Sequence, residues 1–281
     1  MWRVIFIVWI SLSHLCSLFS QDLATVRTLA DQAYQRQDYD QALAYLKRLS
    51  FFGEQAEAIV YFRQGECYLA RKQFARASLA FDRSFFLADD TLRNAAQFGK
   101  IRSLLKSGQF RPALIEIYAF SSPADSLVRR LAFYEGLCHY ALADFGRAEA
   151  AFLRAAPPND TTLKNKIKAL LRNEDRLYQP REKTAKIFSY ALPGAGQFYA
   201  GDWKNGLNSL LLNAGLLAAG IYIGQTYSYL DALIAVGPWL QRYWLGGATA
   251  AGNIALKERE ERRRKVYSEL MEAYREALKE P

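Results

Sequence analysis

One pattern returns four times between Arg27 and Ala155, and it limits what this chain can become. Each time a turn residue is followed by an aromatic, then Ala, then a large apolar residue. The aromatics are Tyr39, Phe74, Phe110 and Phe145, spaced 35, 36 and 35 residues apart. Three places on come Ala42, Ala77, Ala113 and Ala148, and four further on Leu46, Phe81, Ile117 and Phe152. About nine residues before each aromatic stands Ala30, Gly65, Ile101 or Gly136. A fixed period of this length marks a unit of two helices that cannot bury its apolar side alone and stacks on its neighbours into a solenoid. No segment shows sustained period-two alternation, so the chain reads as all-α.

The spacing and residue types resemble the tetratricopeptide repeat family. The closest unit is Tyr61, Gly65, Tyr68, Phe74, Ala77, Phe81 and Ser84. The third unit departs, with Ile101 and Leu104 where the family prefers small and aromatic residues, and Pro112 near the start of its second helix. The resemblance implies a TPR-like helical-pair solenoid whose first helices line a concave groove for a protein partner. Carried over residue by residue, its groove positions are Tyr34, Phe62, Glu66, Leu69, Phe98, Arg102, Leu105, Phe133, Leu137 and Tyr140. Aromatics and Arg are enriched where binding energy concentrates, although Phe62, Phe98 and Phe133 equally suit packing between helices. The basic pattern with which some adaptors hold a C-terminal carboxylate is not evident.

Residues 1–20 read as a targeting segment: Arg3 is followed by an apolar run from Val4 to Leu12, then small residues and a Ser20-Gln21 cleavage point. A cleaved signal and a retained anchor both fit. Residues 21–156 hold the four units. The stretch 157–182 supplies a helix with Leu163, Ile167, Leu170, Leu171 and Leu177, expected to cap the solenoid, and a linker.

From 183 to 256 the character changes. After Leu192 come Pro193, Gly194, Ala195, Gly196, Gln197, Phe198, Tyr199, Ala200 and Gly201, then Gly206. Asn205 to Leu230 is a run of 26 residues without a charge. About 20 apolar residues cross the hydrocarbon core, so Leu207–Tyr227 is expected to span a membrane. Ala232–Leu256, interrupted by Trp239, Arg242 and Trp244, is expected to return. Gly220/Gly224 and Ala248/Gly252 form small-xxx-small pairs that allow close helix approach. A buried soluble hairpin is the alternative. This segment resembles small bacterial membrane-hairpin domains with a Pro-Gly-x-Gly-Gln-x-Tyr-x-Gly signature, which occur fused to tetratricopeptide repeats in envelope proteins. The resemblance implies a membrane-turn motif made of Pro193, Gly194, Gly196, Gln197, Tyr199, Gly201 and Gly206, lying at the membrane interface.

The tail, 257–281, carries eight basic and seven acidic residues around a stripe of Val266, Leu270, Met271, Tyr274 and Leu278. It reads as a charged C-terminal helix, with Arg262 to Lys265 either solvated or touching lipid headgroups.

Chemistry is sparse. After the first twenty residues His139 is the one histidine, and it falls on a packing face, where a core role explains it better than catalysis. Cys67 and Cys138 occupy the same place in the second and fourth units, too far apart to pair. The glycines do not match a dinucleotide-binding loop, and no strand precedes them. No catalytic residue, metal site or cofactor is expected. The net charge of +9 arises from 37 basic and 28 acidic residues interleaved in the repeats, which suits a solvated surface better than nucleic acid. These readings converge on a membrane-anchored scaffold of a bacterial cell envelope that binds protein without catalysis. The alternative is an assembly factor whose hairpin itself meets membrane clients. The leader points the repeats outward, to the periplasm. The basic flanks at 183–204 and 257–265 favour the opposite side by the positive-inside tendency, and the leader with its long following domain is taken to dominate.

Overall fold

The computed structural model of the chain describes residues 22–52, 57–120 and 125–277, and their regular structure is entirely α-helical. The expected leader lies outside these residues. Two compact units are present, 1–155 and 156–281.

The first unit holds four helix pairs: α1 (Leu23–Gln35) with α2 (Tyr39–Phe52), α3 (Ala58–Ala70) with α4 (Phe74–Leu87), α5 (Asp90–Lys106) with α6 (Phe110–Tyr118), and α7 (Asp125–Ala141) with α8 (Phe145–Ala155). Each helix packs on the next one in sequence. The turn inside each pair is the same. Gln37, Lys72, Gly108 and Ala143 all have φ between 58° and 74°. The following N–H of Asp38, Gln73, Gln109 or Asp144 reaches back to the carbonyl of Ala33, Tyr68, Leu104 or His139 at 2.8–3.0 Å. This left-handed cap satisfies the last carbonyls of the first helix and reverses the chain. Asp38 and Asp144 then accept from the N–H groups of Gln41 and Arg147, starting α2 and α8.

Only the third unit uses glycine at the left-handed position. A Cβ costs roughly 1–2 kcal/mol there, so Gly108→Ala should lower stability by about 1 kcal/mol, and Ala143→Gly should gain a fraction of that. Urea midpoints of the two variants check this.

The core follows a rule of reciprocal size. Where the first helix carries glycine, the second carries phenylalanine: an added Cβ at Gly65 would lie 2.7 Å from the Phe81 ring, and one at Gly136 2.7 Å from Phe152. Where the first helix carries Ile101, its partner shrinks to Ile117, and Ala30 goes with Leu46. Ala42, Ala77, Ala113 and Ala148 are all fully buried. Interiors packed to crystal-like density admit such trades only in compensating pairs.

In the second unit α14 (Tyr229–Ala277) is the spine. It is one helix of 49 residues, about 70 Å long. Against it pack α9 (Thr161–Leu171), α10 (Glu174–Tyr178), α11 (Glu182–Ala191), α12 (Ala195–Ala200) and α13 (Trp203–Thr226). Gly224 lies beside Ala232, Gly220 beside Val236, and Gly247 beside Ser209, so α13 and the first half of α14 run antiparallel.

The helix expected to follow the fourth pair is α9, which buries Leu163, Ile167 and Leu171 and packs on α14. Two expectations are corrected here. The boundary drawn at Lys257 is absent, because α14 runs through both Pro238 and the charged tail. Only α13, among the described residues, is long and apolar enough by itself to cross a membrane; the second expected span, interrupted by Arg242, falls short of that and packs along α13 as the first half of α14.

Candidate functional site

In the first unit α3, α5 and α7 frame an open groove of about 510 Å³. Phe62, Glu66, Phe98 and Arg102 line it, four of the ten positions drawn from the repeats. Phe62 is half-buried and meets Phe81 edge-on at 5.6 Å between ring centroids. Phe98 is 8% exposed and stacks on Tyr134 at 5.2 Å. Glu66 and Arg102 face each other at 3.5 Å, linking the first helices of successive units. Related links join Arg27 to Glu57 and Asp31 to Arg63. Such partly exposed pairs fix register more than they stabilise.

The other six positions lie outside this groove. Leu69 and Tyr140 are buried, and Tyr140 meets Phe145 at 5.2 Å, so both serve packing. Tyr34 and Leu105 pack on the core at its margin, Phe133 meets Phe152 edge-on at 5.8 Å, and Leu137 is half-buried. The groove gains Asn94 and Arg130 instead. The Arg130 guanidinium lies 4.6 Å from the centroid of the Phe98 ring, a cation–π arrangement. Arg130 keeps the register of the repeat, 35 residues after Ala95, which also lines the groove; it lies one turn before Phe133, the first position carried over in that helix.

His139 is buried, as expected of a core histidine. Its Nε2 stands 3.0 Å from the Tyr118 hydroxyl, and its Nδ1 3.6 Å from an Asp144 carboxylate oxygen. Glu135 accepts from Arg154 at 2.8 Å and from Tyr118 at 3.2 Å. Burial and the Glu135 charge raise the Tyr118 pKa, which opposes ionisation of the one hydroxyl that touches the histidine. Burial pushes the Cys67 and Cys138 thiols up to about 12, so neither is an activated nucleophile. No group of three or more metal-ligating side chains occurs among the described residues.

In the second unit every residue of the glycine-rich motif has a structural duty. Pro193 is buried at the bend. Gly194 has φ +95°, and a Cβ there would sit 2.4 Å from the Gly206 carbonyl oxygen. At Gly196 a Cβ would fall 1.9 Å from the Ala185 carbonyl oxygen. Gly201, at φ +93°, ends α12 in open space. Gly206 makes room for the Phe198 ring. Gln197, 2% exposed, accepts from Ser189 Oγ at 2.9 Å and donates to the Gly247 carbonyl at 3.0 Å; Ser189 in turn accepts from the Gly196 N–H. The Tyr199 hydroxyl donates to Gln179 and accepts from the Arg181 N–H. Asp202 caps α13 by accepting from Asn205, and these hydrogen bonds hold its carboxyl below the usual range. The motif is thus a satisfied polar junction joining α11, α12 and α13 to the spine.

The basic run in α14 is partly committed as well. Arg262 donates to the carbonyls of Arg176 and Gln179, and Arg263 to that of Leu177, closing the end of α10. Searches against family models, curated proteins and solved structures find no match.

Proposed function

We propose that this chain is a membrane-anchored scaffold of the bacterial cell envelope. Its first unit acts as a TPR-like solenoid that holds a protein partner, and its second unit is the anchor. The observation that carries the first half is the fourfold left-handed turn at Gln37, Lys72, Gly108 and Ala143, at the same place in every helix pair. It supports one structural unit repeated with constant geometry, which leaves first helices α3, α5 and α7 side by side around an open groove. Aromatic surface at Phe62 and Phe98 with guanidinium groups at Arg102 and Arg130 is the mix from which binding hot spots are built. The second half rests on α13, an apolar helix of 24 residues that leaves most of its surface uncovered.

The groove is tested by partner capture with the full chain. Arg102→Gln together with Arg130→Gln should weaken capture at least about tenfold, a typical hot-spot effect, while the circular-dichroism melt shifts little. Capture undiminished in a folded double variant would place the partner elsewhere. Replacing Arg262 and Arg263 should loosen the second unit and leave capture intact.

A further inference from the structure

Arg242 stands where a charge is costly. In the antiparallel register that puts Gly247 beside Ser209 and Gly220 beside Val236, Arg242 is level with Ala214, the middle of α13. It is exposed, and among the described residues no carboxylate or hydrogen-bond partner meets its guanidinium. Helix α13 contains no carboxylate. The nearest acids along α14 are Asp231 and Glu258, about 16 Å and 24 Å away along the axis. Around Arg242 the surface is apolar, with Trp239, Tyr243 and Leu245 exposed and Trp239 stacked on Tyr243. One turn on, Gly246 is exposed and its Cβ position faces open space, so another helix could come close there.

If α13 crosses the bilayer, as proposed above, the half of α14 packed along it is carried to the same depth, and this guanidinium lies near the middle. Snorkelling could free a long side chain from that depth, but a helical side chain leans toward its own N-terminus. For α14 that direction leads toward the hairpin tip at Tyr229, about 20 Å away along the axis, farther than one side chain reaches. Ionisable groups at such depth are met by a partner of opposite charge.

We propose that Arg242 and the face around it dock a membrane helix of another protein that carries a carboxylate near its middle. A second copy of this chain does not qualify: a parallel copy would bring Arg242 against Arg242, and an antiparallel one has Asp231 only near its tip. The inference rests on the membrane reading of α13.

The test uses the full chain in phosphatidylcholine vesicles and a labelled leucine–alanine transmembrane peptide with one central glutamate, its central-leucine counterpart serving as control. The glutamate peptide should associate roughly tenfold more tightly than the leucine peptide, the scale of a polar contact between membrane helices. Arg242→Leu should abolish that preference, and Arg242→Glu should transfer it to a central-lysine peptide. Equal association of both peptides, or a preference that survives Arg242→Leu, overturns the proposal. So does Arg242-dependent binding that follows phosphatidylglycerol content with no peptide preference, which would assign the guanidinium to lipid headgroups. Failure of both wild type and Arg242→Leu to float with vesicles would be a different result: it overturns the membrane reading itself, and the docking proposal with it.

Discussion

Gly196→Ala is expected to destabilise the second unit by about 3 kcal/mol or more, at the upper end of overpacking costs. The new Cβ would lie 1.9 Å from the Ala185 carbonyl oxygen and 2.4 Å from Ser189 Oγ. The first of these is backbone inside α11, so no rotamer change relieves the clash. Helices α11 and α12 would have to part, and the hydrogen bonds among Ser189, Gln197 and Gly247 would part with them. Buried polar groups left unpaired add about 1–3 kcal/mol each. Gly201→Ala is the control: nothing lies within 4 Å of its Cβ position, so its cost comes from φ alone, roughly 1–2 kcal/mol. Among the described residues tryptophan occurs only in this unit, at Trp203, Trp239 and Trp244. Denaturation followed by tryptophan fluorescence therefore reads the difference between the two variants.

The second large effect lies in the repeats. Phe81→Ala should cost about 3–5 kcal/mol, the usual range for emptying a buried phenylalanine site. Phe81 is fully buried, meets Phe62 edge-on, and fills the space left by both Gly65 and Gly99. It therefore ties the second helix pair to the third. Phe152 faces Gly136 and Phe133 in the last pair, and its loss should be less damaging to the array. The size rule predicts a rescue. Gly65→Ile alone should clash and Phe81→Ile alone should leave a gap, whereas the two together imitate Ile101 with Ile117. The double variant should melt closer to wild type than either single one by circular dichroism.

Much of this was legible in the sequence because it follows from local spacing. The period of the aromatics placed the helix pairs and their turns, while the pairing of Gly with Phe across the core emerges only once the helices are packed. What could not be read was which surface each apolar or charged face would meet. Leu163, Ile167 and Leu171 advertise a buried face without naming the helix that covers it, and that helix is α14. The change of composition at Lys257 suggested a boundary, but Lys, Glu and Arg are good helix formers, so the backbone continues unchanged. Arg262 and Arg263 looked free for lipid and are bonded to the carbonyls that close α10. In the groove, Phe62, Glu66, Phe98 and Arg102 were found, and Arg130, one turn before the first position carried over in its helix, was not. The glycine-rich motif was visible as a signature, while the reason for each glycine required knowing that Ala185 and Gly206 come within contact of it.

The most direct measurement is protease accessibility of the repeat unit in intact spheroplasts compared with lysed cells, followed with an antibody to residues in the first unit. A membrane-anchored scaffold facing outward predicts digestion of that unit before lysis, with a protected fragment containing α13 left in the membrane fraction. A chain that survives whole until lysis, or that washes free of the membrane fraction, would contradict it.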